Sequence, residues 1–397
     1  MRRAASRSTT SAALATLLWL ALGCAGWPGR APLEAQRCWP SFPYQQGWLG
    51  GDGAYSVPLP GARSLWLFGD TFVGAPGQRD RAGAHFVHNS VGISSCGADG
   101  RFAIEYFWGA GAEPRAFLER DEGWWWLNGG FLHGGALYLV MLGVESAPPH
   151  GPLNVPFRFT GSALGRVADP AGDPTQWRVE VLPLSDGSRA LPVSAAVVHG
   201  AHLHLFAFVA EADGGSPRFL ARLPLARLAA PAAALETLAR DGRWLPGLVP
   251  EHARILMGDD ATEMSVRHEP ASGRWIAVYN HPDVRGTFPD VTPSDAVHAR
   301  TADRLEGPWS EPELIFRIPE LDPSRRSDRN VGCYAAKEQA QFSLPGALTF
   351  TYVCNLFSGR GEDPYAILER LQRRMDLYRP VAASVTLPAG APAGAGR

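Results

Sequence analysis

One pattern recurs five times along the chain and constrains the fold more than any other feature. Each copy is a short strand, a tight turn holding a small residue, and a second strand of alternating apolar residues. The copies cover 52–59 and 64–70, 128–132 and 136–140, 193–198 and 202–206, 263–268 and 275–279, and 331–336 and 348–352. Gly61, Gly134, Gly200, Gly273 and Gly346 mark the turns, as hairpins of this kind require. The second strands begin near Leu65, Leu137, Leu203, Trp275 and Leu348, a period of about 70 residues. A lone hairpin is marginal in water, so the copies must stack on one another. The period fits a four-stranded blade with long loops, which predicts an all-β, five-bladed β-propeller over 48–383. A β-sandwich or a two-domain all-β protein is the alternative. Residues 25–47 read as an N-terminal linker and 384–397 as a disordered tail. Helical signals are confined to 232–240 and 366–374.

Composition excludes several classes. Charged residues are 19% and the formal net charge is -2, which rules out a polybasic nucleic-acid binder. Hydrophobic residues are 45%, enough for a large core, so an acidic disordered chain is excluded too. Lys337 is the only lysine; every other basic residue of the Lys and Arg set is arginine, a bias that a GC-rich genome also produces.

Residues 1–24 read as an export signal. Arg2, Arg3 and Arg7 precede an apolar run over 12–22 that is too short to span a bilayer comfortably. The run ends in Leu20-Ala21-Leu22-Gly23-Cys24, which resembles a bacterial lipobox with Cys24 as the lipidated residue. Ordinary cleavage after Ala25 is the alternative. The expected product is a secreted protein or a cell-envelope lipoprotein, touching membrane only through that anchor. Four cysteines remain, an even count that suits two disulfides in an oxidising compartment. Cys333 and Cys354 fall on neighbouring predicted strands and are paired; Cys38 with Cys96 follows by elimination. None has CxxC spacing, so no metal site is expected.

Propeller geometry places the start of each first strand, the end of the second and the start of the third on one face. In the first copy that face holds Asp52, Asp70, His88 and Asn89; in the second, Asn128. In the fourth it holds Glu263, Asn280, His281 and His298; in the fifth, Asn330. A funnel rimmed by carboxyls, amides and histidines suits sugar chemistry, because breaking a glycosidic bond needs one protonated and one ionised carboxyl. Asp52 and Asp70 are the expected reacting pair, with Glu263 as a rival acid. His88, Asn89, Asn128, Asn280, His281, His298 and Asn330 are expected to contact substrate. Trp124, Trp125, Trp126 and Tyr55 are candidate stacking surfaces for a sugar ring, or else blade packing. Asp52 and Asp70 also suit strand-end turns, and Glu263 suits a strand-neighbour pair with Arg267. Ser194 has no evident histidine and aspartate partners, which argues against a serine hydrolase.

The motifs Gly50-Gly51-Asp52-Gly53, Leu67-Phe68-Gly69-Asp70-Thr71-Phe72 and His88-Asn89-Ser90 resemble the exported bacterial domain of unknown function 4185. Ala299-Arg300-Thr301-Ala302 with Gly307-Pro308-Trp309 resembles a phrase of the five-bladed arabinanase and fructosidase propellers. The resemblance runs over about 48–381 and implies an endo-D-arabinanase-like glycosidase with its aspartates at Asp52 and Asp70. It also implies a glutamate acid from another blade, for which Glu263 is the positional match, and sets Asn128 where those relatives carry an acid. The expected activity is hydrolysis of a furanoside-containing, arabinan-like polysaccharide by a monomer that needs no cofactor. The competing expectations are a non-catalytic surface lipoprotein that binds polysaccharide or protein through the same funnel, and a lyase or transglycosylase on the same site.

Overall fold

The second strand of each predicted hairpin is an almost unbroken apolar run, and the reason lies in how its two faces are used. Side chains alternate across a strand, so a strand buried on both faces must be apolar throughout. In the computed structural model, which describes residues 38–150, 154–185, 190–209, 215–259, 261–270, 272–280, 296–326, 328–358 and 362–387, this is the case.

The chain begins with β1 (Trp48–Gly51), β2 (Tyr55–Leu59), β3 (Arg63–Phe68), β4 (Thr71–Val73), β5 (His85–Val87), β6 (Ser90–Cys96) and β7 (Phe102–Phe107). Strands β2-β3-β6-β7 form a first antiparallel sheet, and β1-β4-β5 a small separate one. Next come β8 (Trp124–His133), β9 (Ala136–His150), β10 (Val155–Val167) and β11 (Val179–Pro183), the second main sheet. The third is built from β12 (Val193–His199), β13 (His202–Phe208), β14 (Arg218–Pro224), β15 (Glu236–Leu238) and β16 (Trp244–Pro246), with β17 (Ile255–Met257) also paired to β14. The fourth is β18 (Met264–Glu269), β19 (Arg274–Asn280), β20 (Ala296–Ala302) and β21 (Glu313–Arg317). The fifth is β22 (Val331–Glu338), β23 (Ala347–Leu356) and β24 (Val381–Thr386), with α1 (Pro364–Gln372) between the last two.

Alternation on the middle strands ties each main sheet to its neighbours. Leu137, Leu139 and Met141 of β9 pack toward Leu65 and Leu67 of the first sheet. Tyr138 and Val140 of the same strand pack toward Leu203 and Leu205 of the third. Phe206 meets Trp275 and Ala277 of the fourth, whose Ile276 and Val278 meet Leu348 and Phe350 of the fifth. The fifth returns to the first: Phe342 stacks on Trp66 at 5.4 Å, and the Gln339 amide donates to Ala54 O at 2.8 Å. Each fully buried aromatic of this kind is worth roughly 2–3 kcal/mol. The five first strands line one channel of about 240 Å³, to which Tyr55, Asn128, Ala195, Met264 and Lys337 contribute.

Both disulfides form, with Cys333 and Cys354 directly opposite in the β22–β23 ladder and Cys38 bonded to Cys96. Among the described residues, no helix is long and apolar enough to cross a membrane. Residues 1–37, including the export signal and Cys24, lie outside the described residues.

Three expectations change. Residues 38–47 are packed rather than a linker, because Phe42 inserts edge-on against Trp66 and is 3% exposed. The final strand runs to Thr386, so 384–386 belong to the sheet and not to a tail. The helical signal at 232–240 gives only a single 3-10 turn at 232–234; Thr237 and Leu238 are buried and pair as β15. Burial of those two side chains outweighs the helix preference of the alanines before them.

Candidate active site

Asp52 and Asp70 sit where the chain crosses between two sheets. Asp52 lies between β1 and β2, and Asp70 between β3 and β4. Two backbone hydrogen bonds fasten the crossings together: Asp52 N–H to Asp70 O at 2.8 Å and Gly69 N–H to Asp52 O at 3.0 Å. The small sheet, unseen in the sequence pattern, is therefore what sets the two aspartates side by side.

Each carboxyl has its own partners. Asp70 Oδ1 accepts from His88 Nδ1 at 3.0 Å and from the Trp126 indole N–H at 3.1 Å. His88 is held in turn by stacking on Trp124, with ring centroids 4.1 Å apart and planes 12° from parallel. Asp52 Oδ1 accepts from the Tyr334 hydroxyl at 2.6 Å, and Asn355 donates to that hydroxyl at 3.3 Å. Glu263, just before β18, accepts from Lys337 Nζ at 2.9 Å. The Lys337 ammonium also lies 4.0 Å from the centre of the Tyr55 ring.

The three acids form one electrostatic cluster. Burial and then the neighbouring Glu263 charge lift the Asp52 carboxyl to about 7, with the Asp70 charge adding to them and the Tyr334 hydroxyl and the Lys337 ammonium opposing. A carboxyl in that range can give up a proton near neutral pH. The Tyr334 and Tyr55 hydroxyls are pushed well above their ordinary value by burial and by these same carboxylates, so both remain donors.

The lifted Asp52 carboxyl has a consequence for stability. Its folded pKa lies above the unfolded value of ~3.9, so the folded state binds the proton more tightly. The associated stability is fully present below about pH 4 and is lost as pH rises through about 7. Asp52→Asn removes this titration. Denaturant midpoints should show the variant gaining on wild type between about pH 4 and about pH 7 and holding that gain above. A difference that stays flat with pH would contradict the environment described for Asp52.

Aromatic side chains wall one flank of the cluster. Strands β9 and β10 extend past the body of their sheet, and Phe157 meets Trp126 edge-on at 4.7 Å. At the far end of this arm, Asn154 donates to Glu362 O at 2.8 Å, beside the fifth sheet. Trp124 and Trp126 are partly exposed here, whereas Trp125 is buried in the core under Arg120.

Other expected contact residues do different work. Asn89 is fully buried and spends its amide on Leu118 and Trp125 backbone groups. Asn280 bonds Ala296 O and Ala336 N–H; Asn330 bonds Phe357 O and Glu362. These three asparagines tie strand ends and loops together. Asn128 lines the channel and reaches Val193 O at 3.5 Å. His298 pairs across the ladder with Tyr279, on the strand face that carries Arg300. His281 lies outside the described residues. Glu263 does not pair with Arg267, which instead bonds Glu338 at 2.7 Å. The structure adds Tyr334 and Lys337 to the site. Lys337 had one signal in the sequence, as the only lysine of the chain, placed in an apolar strand.

The family model that matches the chain is described as "Domain of unknown function (DUF5005)" and covers residues 41–165, which hold the Asp52, Asp70 and His88 motifs. No curated protein matches. Among solved structures, a "putative hydrolase from Bacteroides ovatus ATCC 8483" is 16% identical with a TM-score of 0.63, covering 86% of each chain. That likeness establishes a shared fold. The catalytic domain of a Coprinopsis cinerea GH62 alpha-L-arabinofuranosidase is 10% identical, with a TM-score of 0.45 over 89% of this chain and 95% of that one. A GH43_1 enzyme from Xanthomonas citri is 12% identical, with a TM-score of 0.46 over 89% and 93%.

Proposed function

We propose that the protein is an exported glycoside hydrolase, a five-bladed propeller that cleaves a furanoside-containing, arabinan-like polysaccharide at the mouth of its channel. One observation carries this reading: Asp52 and Asp70, at the crossings between the small sheet and the first, gather with Glu263, at the start of the fourth, into one cluster in which Asp52 titrates near neutral pH. Glycoside hydrolysis needs such a division, with one carboxyl giving a proton to the leaving oxygen while another attacks or activates water. The second task falls to Asp70, whose carboxyl accepts from His88 and Trp126. The partly exposed Trp126, beside Phe157, offers a face on which the apolar side of a sugar can stack. The resemblance of the Asp52, Asp70 and His88 motifs to the domain of unknown function 4185 is the ground for naming a furanoside, and the two disulfides suit an exported protein.

Incubating the purified protein with arabinan, arabinogalactan and fructan tests the reading. New reducing ends from at least one furanoside polymer are expected. Binding of these polymers with no bond cleaved would replace the enzyme with a carbohydrate-binding protein.

A further inference from the structure

The cluster holds three carboxyls and one ammonium, and the position of that ammonium is selective. Lys337 is 1% exposed and lies on β22, reaching from the channel wall to Glu263 Oε1. A buried ammonium must be paired, and Glu263 is the acid it pairs with here. Asp52 is met instead by a neutral phenol, the Tyr334 hydroxyl. The Lys337–Glu263 pair is pressed against the residue next to Asp52: a Cβ on Gly53 would stand 3.2 Å from Glu263 Oε1 and 3.3 Å from Lys337 Nζ. The Glu263 charge strengthens the hold of Asp52 on its proton, and it is Glu263 that has the cation.

We propose that Lys337 is the positioning residue of the cluster, holding Glu263 as the ionised carboxyl and thereby leaving the transferable proton on Asp52. The use of that proton rests on the glycosidase reading; its location does not. In the glycosidic step the Asp52 proton goes to the leaving oxygen, which keeps the electron pair of the broken C–O bond. Water then supplies hydroxyl to the anomeric carbon, and its remaining proton restores the carboxyl.

The groups around Asp52 are Glu263, Tyr334, Asp70, Lys337 and Tyr378. Around Glu263 they are Lys337, Tyr55, Asp52 and Tyr334. Lys337 is the one cation among them. Its replacement by a neutral side chain removes the charge that keeps Glu263 ionised beside Asp52.

Carbon-13 NMR of protein labelled at Asp Cγ and Glu Cδ reads the proton's position without any substrate. Asp52→Asn and Glu263→Gln assign the two resonances. About one pH unit below the Asp52 midpoint, wild type should show Asp52 protonated and Glu263 ionised. In Lys337→Met Glu263 should gain proton occupancy at that pH, and Lys337→Arg should restore the wild-type pattern. A protonated Glu263 in wild type overturns the proposal, as does a Lys337→Met protein with both carboxyls unchanged. If Lys337→Met fails to fold, the wild-type and Lys337→Arg spectra decide. A protein with this pattern that cleaves no glycan would lose the glycosidase reading and keep the proton assignment.

Discussion

Asp52→Asn and Asp70→Asn should each slow glycan cleavage at least ~10²-fold while leaving the protein folded and able to bind glycan. Asparagine keeps the shape of aspartate and most of its hydrogen bonding. The backbone bonds that join the two crossings involve main-chain atoms only, so neither substitution undoes them. The Tyr334 hydroxyl can still donate to an amide oxygen at position 52, and His88 or Trp126 can do so at position 70. What is lost is an ionisable group. Removing general acid or base help costs about 10²–10⁴-fold in rate, and removing a nucleophile costs more. The loss should fall in kcat, since transition-state stabilisation is what these groups provide. Rates within about tenfold of wild type for both variants would contradict the assignment.

Arg81→Met should destabilise the fold by roughly 3–5 kcal/mol, the largest stability effect expected of a single side chain here. Arg81 is fully buried in the segment between β4 and β5. Its guanidinium donates to Leu49 O at 2.7 Å, Leu377 O at 2.8 Å, and Leu371 O and Arg374 O at 3.0 Å. The ring of Phe72 lies 4.9 Å from its central carbon. One side chain thus joins the small sheet that carries the two aspartates to the turn following α1. Methionine fills much of the volume but leaves buried carbonyls unpaired, each at a cost of about 1–3 kcal/mol. Arg81→Lys keeps the charge without the planar fork and should recover only part of the loss. Denaturant unfolding reads both, and a loss under about 1 kcal/mol for Arg81→Met would show that the clasp matters little.

The hairpins were legible because burial on both faces forces an unbroken apolar strand, as in 136–142 and 275–279. The small sheet was not, because strands of three or four residues carry too little pattern. Asp52, Asp70, His88 and Glu263 were legible as polar residues at strand ends. Asn89, Asn280 and Asn330 gave the same signal for another reason: an amide can satisfy backbone donors and acceptors where a strand stops. Tyr334 and Lys337 stayed hidden. They lie three residues apart, so regular alternation would send them to opposite faces. A bulge at Ala335, whose φ is 60°, shifts the register between them and lets both reach the carboxyls. Their partners are also remote in sequence, with Tyr334 and Asp52 separated by 282 positions.

The carboxyl cluster is proposed to break a glycosidic bond. The most direct measurement compares wild type with an Asp52→Asn/Asp70→Asn double variant on arabinan, following new reducing ends and glycan binding in the same samples. Release by wild type, with the double variant binding equally and releasing nothing above background, is the predicted result. Equal release by both proteins, or binding by both with no release from either, would contradict it.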